Sequence, residues 1–331
     1  MSVKNYKNSF FDAVLNLLWQ HWSLLGIPGQ ISSTENEFVI DPEALLLFST
    51  EFARYDQRLY DQILDWLQMH SSLINIQRLK ALNAKCKFKN TASLGYMAAV
   101  VAETEPTRWA KPAKAYAVAQ PTIPLFKDQN DKMESFIPKV DALAKSYSFL
   151  RNIRINTGKT PQNLPNGTAS LLLRMRGLFG ISARAEAILV MLNSMPCKVQ
   201  DIVERSGFAW KSIQDVLEEL KSSGFVASVS ETKRGKQYYL TQADKIRHLF
   251  DIHTCVFPNW TTFYDVLGEL WQLISNPRLA LVSDETIFNE IRMLYQNKLQ
   301  GKLVLSGYPP FFLGNLEKLL GVFPFPITNM K

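Results

Sequence analysis

Apolar residues recur at helical spacing through the first quarter of the chain. Between positions 10 and 25 they repeat every three or four residues, and Gly26 ends the run. Asp41, Pro42 and Glu43 then form a typical helix start, since proline fits the first helical position and an acid favours the helix dipole. Similar stripes follow at 45–52, 59–67 and 74–82. The pattern predicts an N-terminal helical domain over residues 1–84.

Prolines interrupt the pattern in residues 85–176. A run of small apolar residues predicts a helix over 91–102. Because the next stretch, 103–140, contains five prolines, we interpret it as a loop-rich, extended arm. Glycines and prolines between 151 and 170 indicate a linker. We therefore predict a basic segment of helix and loop over 85–176 that leads into a further domain.

Residues 177–250 carry the most regular succession of patterns. Helical stripes cover 183–193, 198–205 and 210–222, and Gly207 allows a tight turn between the second and third. Ser182 can cap the first of these helices. The stretches 225–231 and 237–241 predict two strands of a β-hairpin with a basic, glycine-containing tip at 232–236.

The pattern becomes helical again in residues 251–331. Amphipathic stretches at 260–274, 284–300 and 310–320 predict a C-terminal helical domain. Its aromatic residues could line a sensor pocket, but core packing is the favoured interpretation. These aromatic residues are Phe257, Phe263, Trp271 and Phe288.

This succession of elements resembles a winged helix-turn-helix of the type found in MarR- and ArsR-like bacterial transcriptional regulators. The elements are a helix, a short helix, a glycine turn, a longer helix and a basic hairpin. The resemblance covers about residues 181–241 and rests on the run VQDIVERSGFAWKSIQDVLEELKSSGFV at 199–226. It implies a mainly α fold with a small β-hairpin wing, in a multi-domain chain whose central winged helix-turn-helix is flanked by helical domains.

The same resemblance implies which residues would contact DNA. In a helix-turn-helix the second helix enters the major groove, and its N-terminal residues meet the base edges. Lys211 would then bind a guanine or a phosphate, and Gln214 would bind an adenine. The outward residues of helix 210–222 that are candidates for DNA contact are Trp210, Lys211, Ser212 and Gln214. At the wing tip, Lys233, Arg234 and Lys236 suit a phosphate or the minor groove.

Three features of helix 210–222 qualify this prediction. Trp210 could contact a sugar or a thymine methyl group, or it could pack against the preceding helix. Ala209, at the expected N-cap, has no side-chain acceptor. Asp215, Glu218 and Glu219 make the helix acidic beyond its first turn, which favours shallow insertion into a duplex.

Charge is concentrated in the middle of the chain. The formal net charge is +7 overall, but it is −4 in residues 1–79, +10 in 80–176, +2 in 177–250 and −1 in 251–331. We interpret the basic segment as a contact for an anionic partner, although a solvated basic face explains it equally well. Trp109 stands among these cations and could face nucleic acid. Additional basic contacts are predicted at Lys85, Lys87, Lys89, Arg108, Lys111 and Lys114.

Several other classes of protein lack support in the sequence. No stretch is long and apolar enough for a membrane span, and three distant cysteines fit a reducing, cytoplasmic environment. Residues 157–160, TGKT, lack the upstream glycine and the following helix of a phosphate-binding loop. The histidines show no metal-ligand spacing. We therefore predict no metal, no cofactor and no enzymatic activity.

Two functions remain in competition. The favoured hypothesis is a sequence-specific transcriptional regulator that binds double-stranded DNA as a homodimer, reading it with helix 210–222 and the wing at 232–236. The alternative is a protein-interaction adaptor or antitoxin-like partner, which uses the winged helix and the basic arm to bind a protein encoded nearby.

Overall fold

The chain is mainly helical in the computed structural model, as the sequence predicts. The structure describes residues 2–29, 38–118, 120–130, 132, 137–154, 158–231, 235–278, 282–299 and 301. Within these ranges, β structure forms two sheets of two strands each. No helix among them is both long enough and apolar enough to cross a bilayer.

Six α-helices are present in the first part of the described residues. They are α1 (Val3–Leu24), α2 (Pro42–Phe52), α3 (Gln57–His70), α4 (Ile76–Lys85), α5 (Thr91–Ala102) and α6 (Pro106–Tyr116). Asp41 caps α2 by accepting the Ala44 N–H, with Pro42 in the first turn, as predicted. Short 3₁₀ turns, Ala53–Tyr55 and Ser71–Leu73, lead out of α2 and α3.

Eight α-helices follow in the later part of the described residues. The helices are α7 (Ala142–Ser146), α8 (Leu171–Phe179), α9 (Ala183–Asn193), α10 (Val199–Ser206), α11 (Trp210–Ser222), α12 (Ala243–Leu249), α13 (Trp260–Ile274) and α14 (Asp284–Leu294). Tyr295–Leu299 continues α14 as a π-helical turn, so the stretch predicted at 284–300 is only partly α-helical. The helix predicted at 310–320 lies outside the described residues.

Each sheet joins two strands. Strand β1 (Ile123–Pro124) pairs in parallel with β2 (Phe149–Leu150). Strands β3 (Val226–Glu231) and β4 (Gly235–Leu240) form the predicted antiparallel hairpin, with Val226 opposite Leu240. Gly235 and Lys236, predicted in the tip at 232–236, belong to β4 because they pair with Glu231 and Ser230. A single bridge between Cys197 and Tyr238 attaches this hairpin to the chain before α10.

The two ends of the described chain share one apolar core. His21 in α1 hydrogen-bonds through Nδ1 to the Tyr264 hydroxyl of α13 at 2.8 Å, and Trp260 Nε1 donates to the Val39 carbonyl at 2.7 Å. Trp271 packs its ring against Phe10 and Phe11 of α1. Of the C-terminal aromatic residues predicted to form core, Phe257, Phe263 and Trp271 are buried, and Phe288 is half-buried against the core.

The prediction of an extended arm over 103–140 is wrong for its first part, because Pro106–Tyr116 forms helix α6. Pro106 occupies the first turn, where a missing N–H costs nothing, and Pro112 is tolerated inside the helix. Trp109, predicted to face nucleic acid, is 1% exposed and belongs to the core. It shares an i, i+3, i+4, i+7 stripe with Pro112, Ala113 and Tyr116. Burial of this stripe against α5 stabilises the helix despite its prolines.

Residues 158–170, part of the stretch predicted as a linker, contain neither helix nor strand and lie against the N-terminal helices. Pro161 and Pro165 approach Gly26, and the His70 ring contacts the Pro161 carbonyl at 3.0 Å. Helix α8 follows directly, and the boundary predicted between residues 176 and 177 falls inside it.

Candidate nucleic-acid interface

Helix α11 is held by its apolar side and presents the other side to solvent. Ile213, Val216, Leu217 and Leu220 are buried, as the periodicity requires. Trp210 is 52% exposed, so about half of its side chain is open to solvent, and both interpretations of this residue stay predictions. Lys211 and Ser212 are also exposed, and Gln214 is half-buried.

The start of α11 is open. Ala209 is extended, with φ −66° and ψ 146°, and provides no side-chain acceptor. The first N–H groups of α11 therefore have no side-chain cap, and the positive end of the helix dipole lies among exposed residues. Such a terminus attracts anions such as phosphate. Gly207 makes the preceding turn in the left-handed region, at φ 74°.

The acidic residues of α11 are mostly paired. Glu218 accepts from Lys236 Nζ at 3.0 Å, and Glu219 accepts from Arg184 at 2.7 Å. The hydrogen bond from Lys236 lowers the pKa of Glu218, while hydrogen bonds to Tyr238 and Glu218 raise the pKa of Lys236. The helix thus presents less free negative charge than its sequence indicates.

Lys236 is the predicted wing contact that lies within the described residues. Its ammonium stands over the Tyr238 ring, 4.9 Å from the centroid, as well as beside Glu218. The structure therefore places Lys236 against the C-terminal half of α11. Lys233 and Arg234 lie outside the described residues.

The basic residues of the middle segment have different surroundings. Arg108 donates to the carbonyls of Ser71 and Ile74, so it serves as an internal tie. Lys89 donates to the Cys86 carbonyl, and Lys87 lies 3.9 Å from Glu269. Three of the predicted basic contacts are exposed and form no ion pair within the described ranges: Lys85, Lys111 and Lys114.

A buried cluster of ion pairs, not among the sequence predictions, joins helices α2, α4, α8 and α9 next to the turn that leads into α11. Arg176 of α8 lies between Glu43 of α2 and Glu186 of α9, at 2.6 Å from each carboxylate. Arg78 of α4 pairs with Glu43 at 2.6 Å and with Asp41. The Arg78 guanidinium holds the pKa of Asp41 below its usual range, against the opposing effect of burial.

This cluster left one signal in the sequence. Charged residues at 43, 78, 176 and 186 fall within helical stripes that are otherwise apolar. Such residues are almost never buried unless paired, so their presence indicates an internal network. The pairing itself joins different helices, with Glu43 and Arg176 133 positions apart, and could not be predicted from local pattern.

An apolar groove runs beside the C-terminal half of α11. Its volume is about 480 Å³, and its lining includes Ile188, Leu220, Phe225, Ile246 and Leu249. Phe225 is 44% and Leu249 60% exposed, which leaves apolar surface open to water. A second cavity, of about 600 Å³, is more polar and lies between α3 and α7.

In comparisons with known proteins, no protein-family model, curated protein or solved structure matches the chain. Within the described residues, no group of three or more His, Cys, Asp or Glu side chains could hold a metal ion.

Proposed function

We propose that the chain is a sequence-selective DNA-binding regulator whose residues 181–241 act as a winged helix-turn-helix. The observation that carries the proposal is the open first turn of α11, with Trp210, Lys211 and Ser212 exposed and an uncapped helix start. The order of α9, α10, α11 and the β3–β4 hairpin supports it. The protein would act in the cytoplasm, where its DNA is accessible.

Recognition would follow from the geometry of α11. Its N-terminal turn enters the major groove, where Lys211 donates to the O6 and N7 of a guanine or to a phosphate. Gln214 is one turn further and matches the N6 and N7 of an adenine. The uncapped N–H groups suit a backbone phosphate. A homodimer would contact two half-sites about one helical turn apart, which adds their binding energies.

The first experiment measures binding of the full chain to the duplex upstream of its own gene, by fluorescence anisotropy at several salt concentrations. We expect selective binding over scrambled duplex, with an affinity that falls steeply as salt rises. Lys211→Ala should weaken selective binding by about 1–3 kcal/mol. The matched control is Lys221→Ala, an exposed lysine in the last turn of the same helix. Equal, weak binding to both duplexes would contradict the proposal.

A second candidate function is favoured by the apolar groove. A monomeric protein rarely leaves Phe225 and Leu249 so exposed side by side with a cavity, and such patches often bind proteins. As an adaptor, the chain would hold the product of a neighbouring gene there. Leu249→Glu should then abolish co-purification with that product on co-expression, yet leave DNA binding unchanged. An unchanged complex would exclude the groove as its binding site.

A further inference from the structure

Helix α4 lies directly against the turn that leads into α11. Arg78 Nε donates to the carbonyl of Ser206, the last residue of α10, at 2.5 Å. A Cβ added to Gly207 would stand 3.2 Å from Leu82 Cδ2, so the side chain of Leu82 touches the turn itself. Two successive turns of α4 therefore contact the end of α10 and the residues before α11.

The contact is rigid because α4 is tied to the rest of the molecule on both sides. Arg78 is buried and is also bonded to Asp41 and Glu43 of the ionic cluster. Its charge at the C-terminal end of α10 complements the helix dipole there. The position of α4 relative to α11 is thus set by hydrogen bonds and ion pairs whose loss would leave buried charges unpaired.

Helical geometry places Lys85 at the edge of this contact. Residues 78, 82 and 85 are spaced i, i+4 and i+7 and so share one face of α4. Lys85 is exposed and forms no ion pair among the residues that the structure describes. Just beyond Lys85, the N–H groups of Lys87 and Phe88 donate to the Asp265 carboxylate. Lys80, also exposed, lies on the opposite face of the same helix.

We infer that the DNA-contacting surface extends from the first turn of α11 onto α4, where Lys85 binds a phosphate of the same duplex. This inference rests on the proposed function. Lys85 is one helical turn along α4 from Leu82, whose side chain touches the α10–α11 turn, and it shares a helix face with Leu82. A duplex that meets the open start of α11 brings its backbone to this neighbourhood. Phosphate contacts of this kind add affinity and fix orientation without reading sequence.

The test compares three variants of the full chain: Lys85→Ala, Lys80→Ala and Lys211→Ala. For each, the affinity for the preferred duplex is measured from low to physiological salt. We expect Lys85→Ala to flatten the slope of log K against log salt by about 0.9, the effect of one phosphate contact. Its preference for the selected over the scrambled duplex should not change. Lys80→Ala, the matched control, should keep the wild-type slope.

Phosphate-ethylation interference gives an independent readout. In the wild type, one ethylated phosphate outside the bases read by α11 should block binding, and this interference should disappear in Lys85→Ala. If Lys85→Ala and Lys80→Ala both behave as the wild type while Lys211→Ala loses selectivity, the inference is wrong and the proposed function stands. If the wild type shows no selective, salt-dependent binding, both are overturned. Urea unfolding of each variant confirms that the folded state is intact.

Discussion

At the scale of single residues, breaking a buried ion pair costs more stability than breaking an exposed one. Arg176 is buried between Glu43 and Glu186, whereas Arg184 forms an exposed pair with Glu219. Arg176→Met leaves two buried carboxylates short of a partner and should lower the free energy of unfolding by about 3–5 kcal/mol. The matched Arg184→Met should cost less than about 1 kcal/mol, because solvent screens the pair. Urea denaturation measures both, and equal losses would contradict this account.

His21 gives a second residue-scale prediction, on pH. Burial lowers its pKa to about 3, from an ordinary value of 6.5. Between these values the unfolded chain binds a proton that the folded chain does not, so stability falls as pH drops below about 6.5. The loss is about 1.4 kcal/mol per pH unit. His21→Gln should remove this component in urea unfolding at pH 7.5 and 5.0. His248→Gln, at an exposed position, should retain it; identical pH profiles for the wild type and His21→Gln would refute the prediction.

At the scale of elements, the missing cap of α11 can be supplied. Ala209 already has the extended conformation of an N-cap, so Ala209→Ser should stabilise the fold by about 1 kcal/mol. Ala209→Asp should stabilise it similarly but place a negative charge where the proposed phosphate binds. We expect the thermal midpoint to rise in both variants, and DNA affinity to fall mainly in Ala209→Asp. Equal DNA affinities for the two variants would place the phosphate elsewhere.

The helices also show which parts of the fold can be predicted from the hydrophobic pattern of the sequence. Helices at 210–222 and 260–274 have the bounds that periodicity predicts, because each buries one face. The helix at 91–102 has the bounds predicted from its run of small apolar residues, which are buried on all sides. Helix α6 was missed since Pro112 outweighed the stripe around Trp109. In the candidate interface, the inward residues of α11 were predictable, but the pairing of its acids with Arg184 and Lys236 was not. Those partners lie on other elements, and no local rule selects them.

At the scale of the whole molecule, the ionic cluster and the α1–α13 contact join segments that the sequence divides into four. We expect a single unfolding transition, because neither the N-terminal helices nor α8–α10 can separate without unpairing buried charges. Tryptophan fluorescence and far-ultraviolet circular dichroism should give coincident urea curves. Two resolved transitions would show that these segments unfold independently.

The packing of α1 on α13 also matters during synthesis of the chain. His21 and Tyr264 are bonded across 243 positions. At a translation rate of about 5–20 residues per second, roughly 10–50 s pass between the emergence of the first and that of the second. During that time the aromatic face of α1 leaves the ribosome without the helix that covers it. We therefore expect a chain truncated before α13 to leave the aromatic face of α1 exposed and to be prone to aggregation.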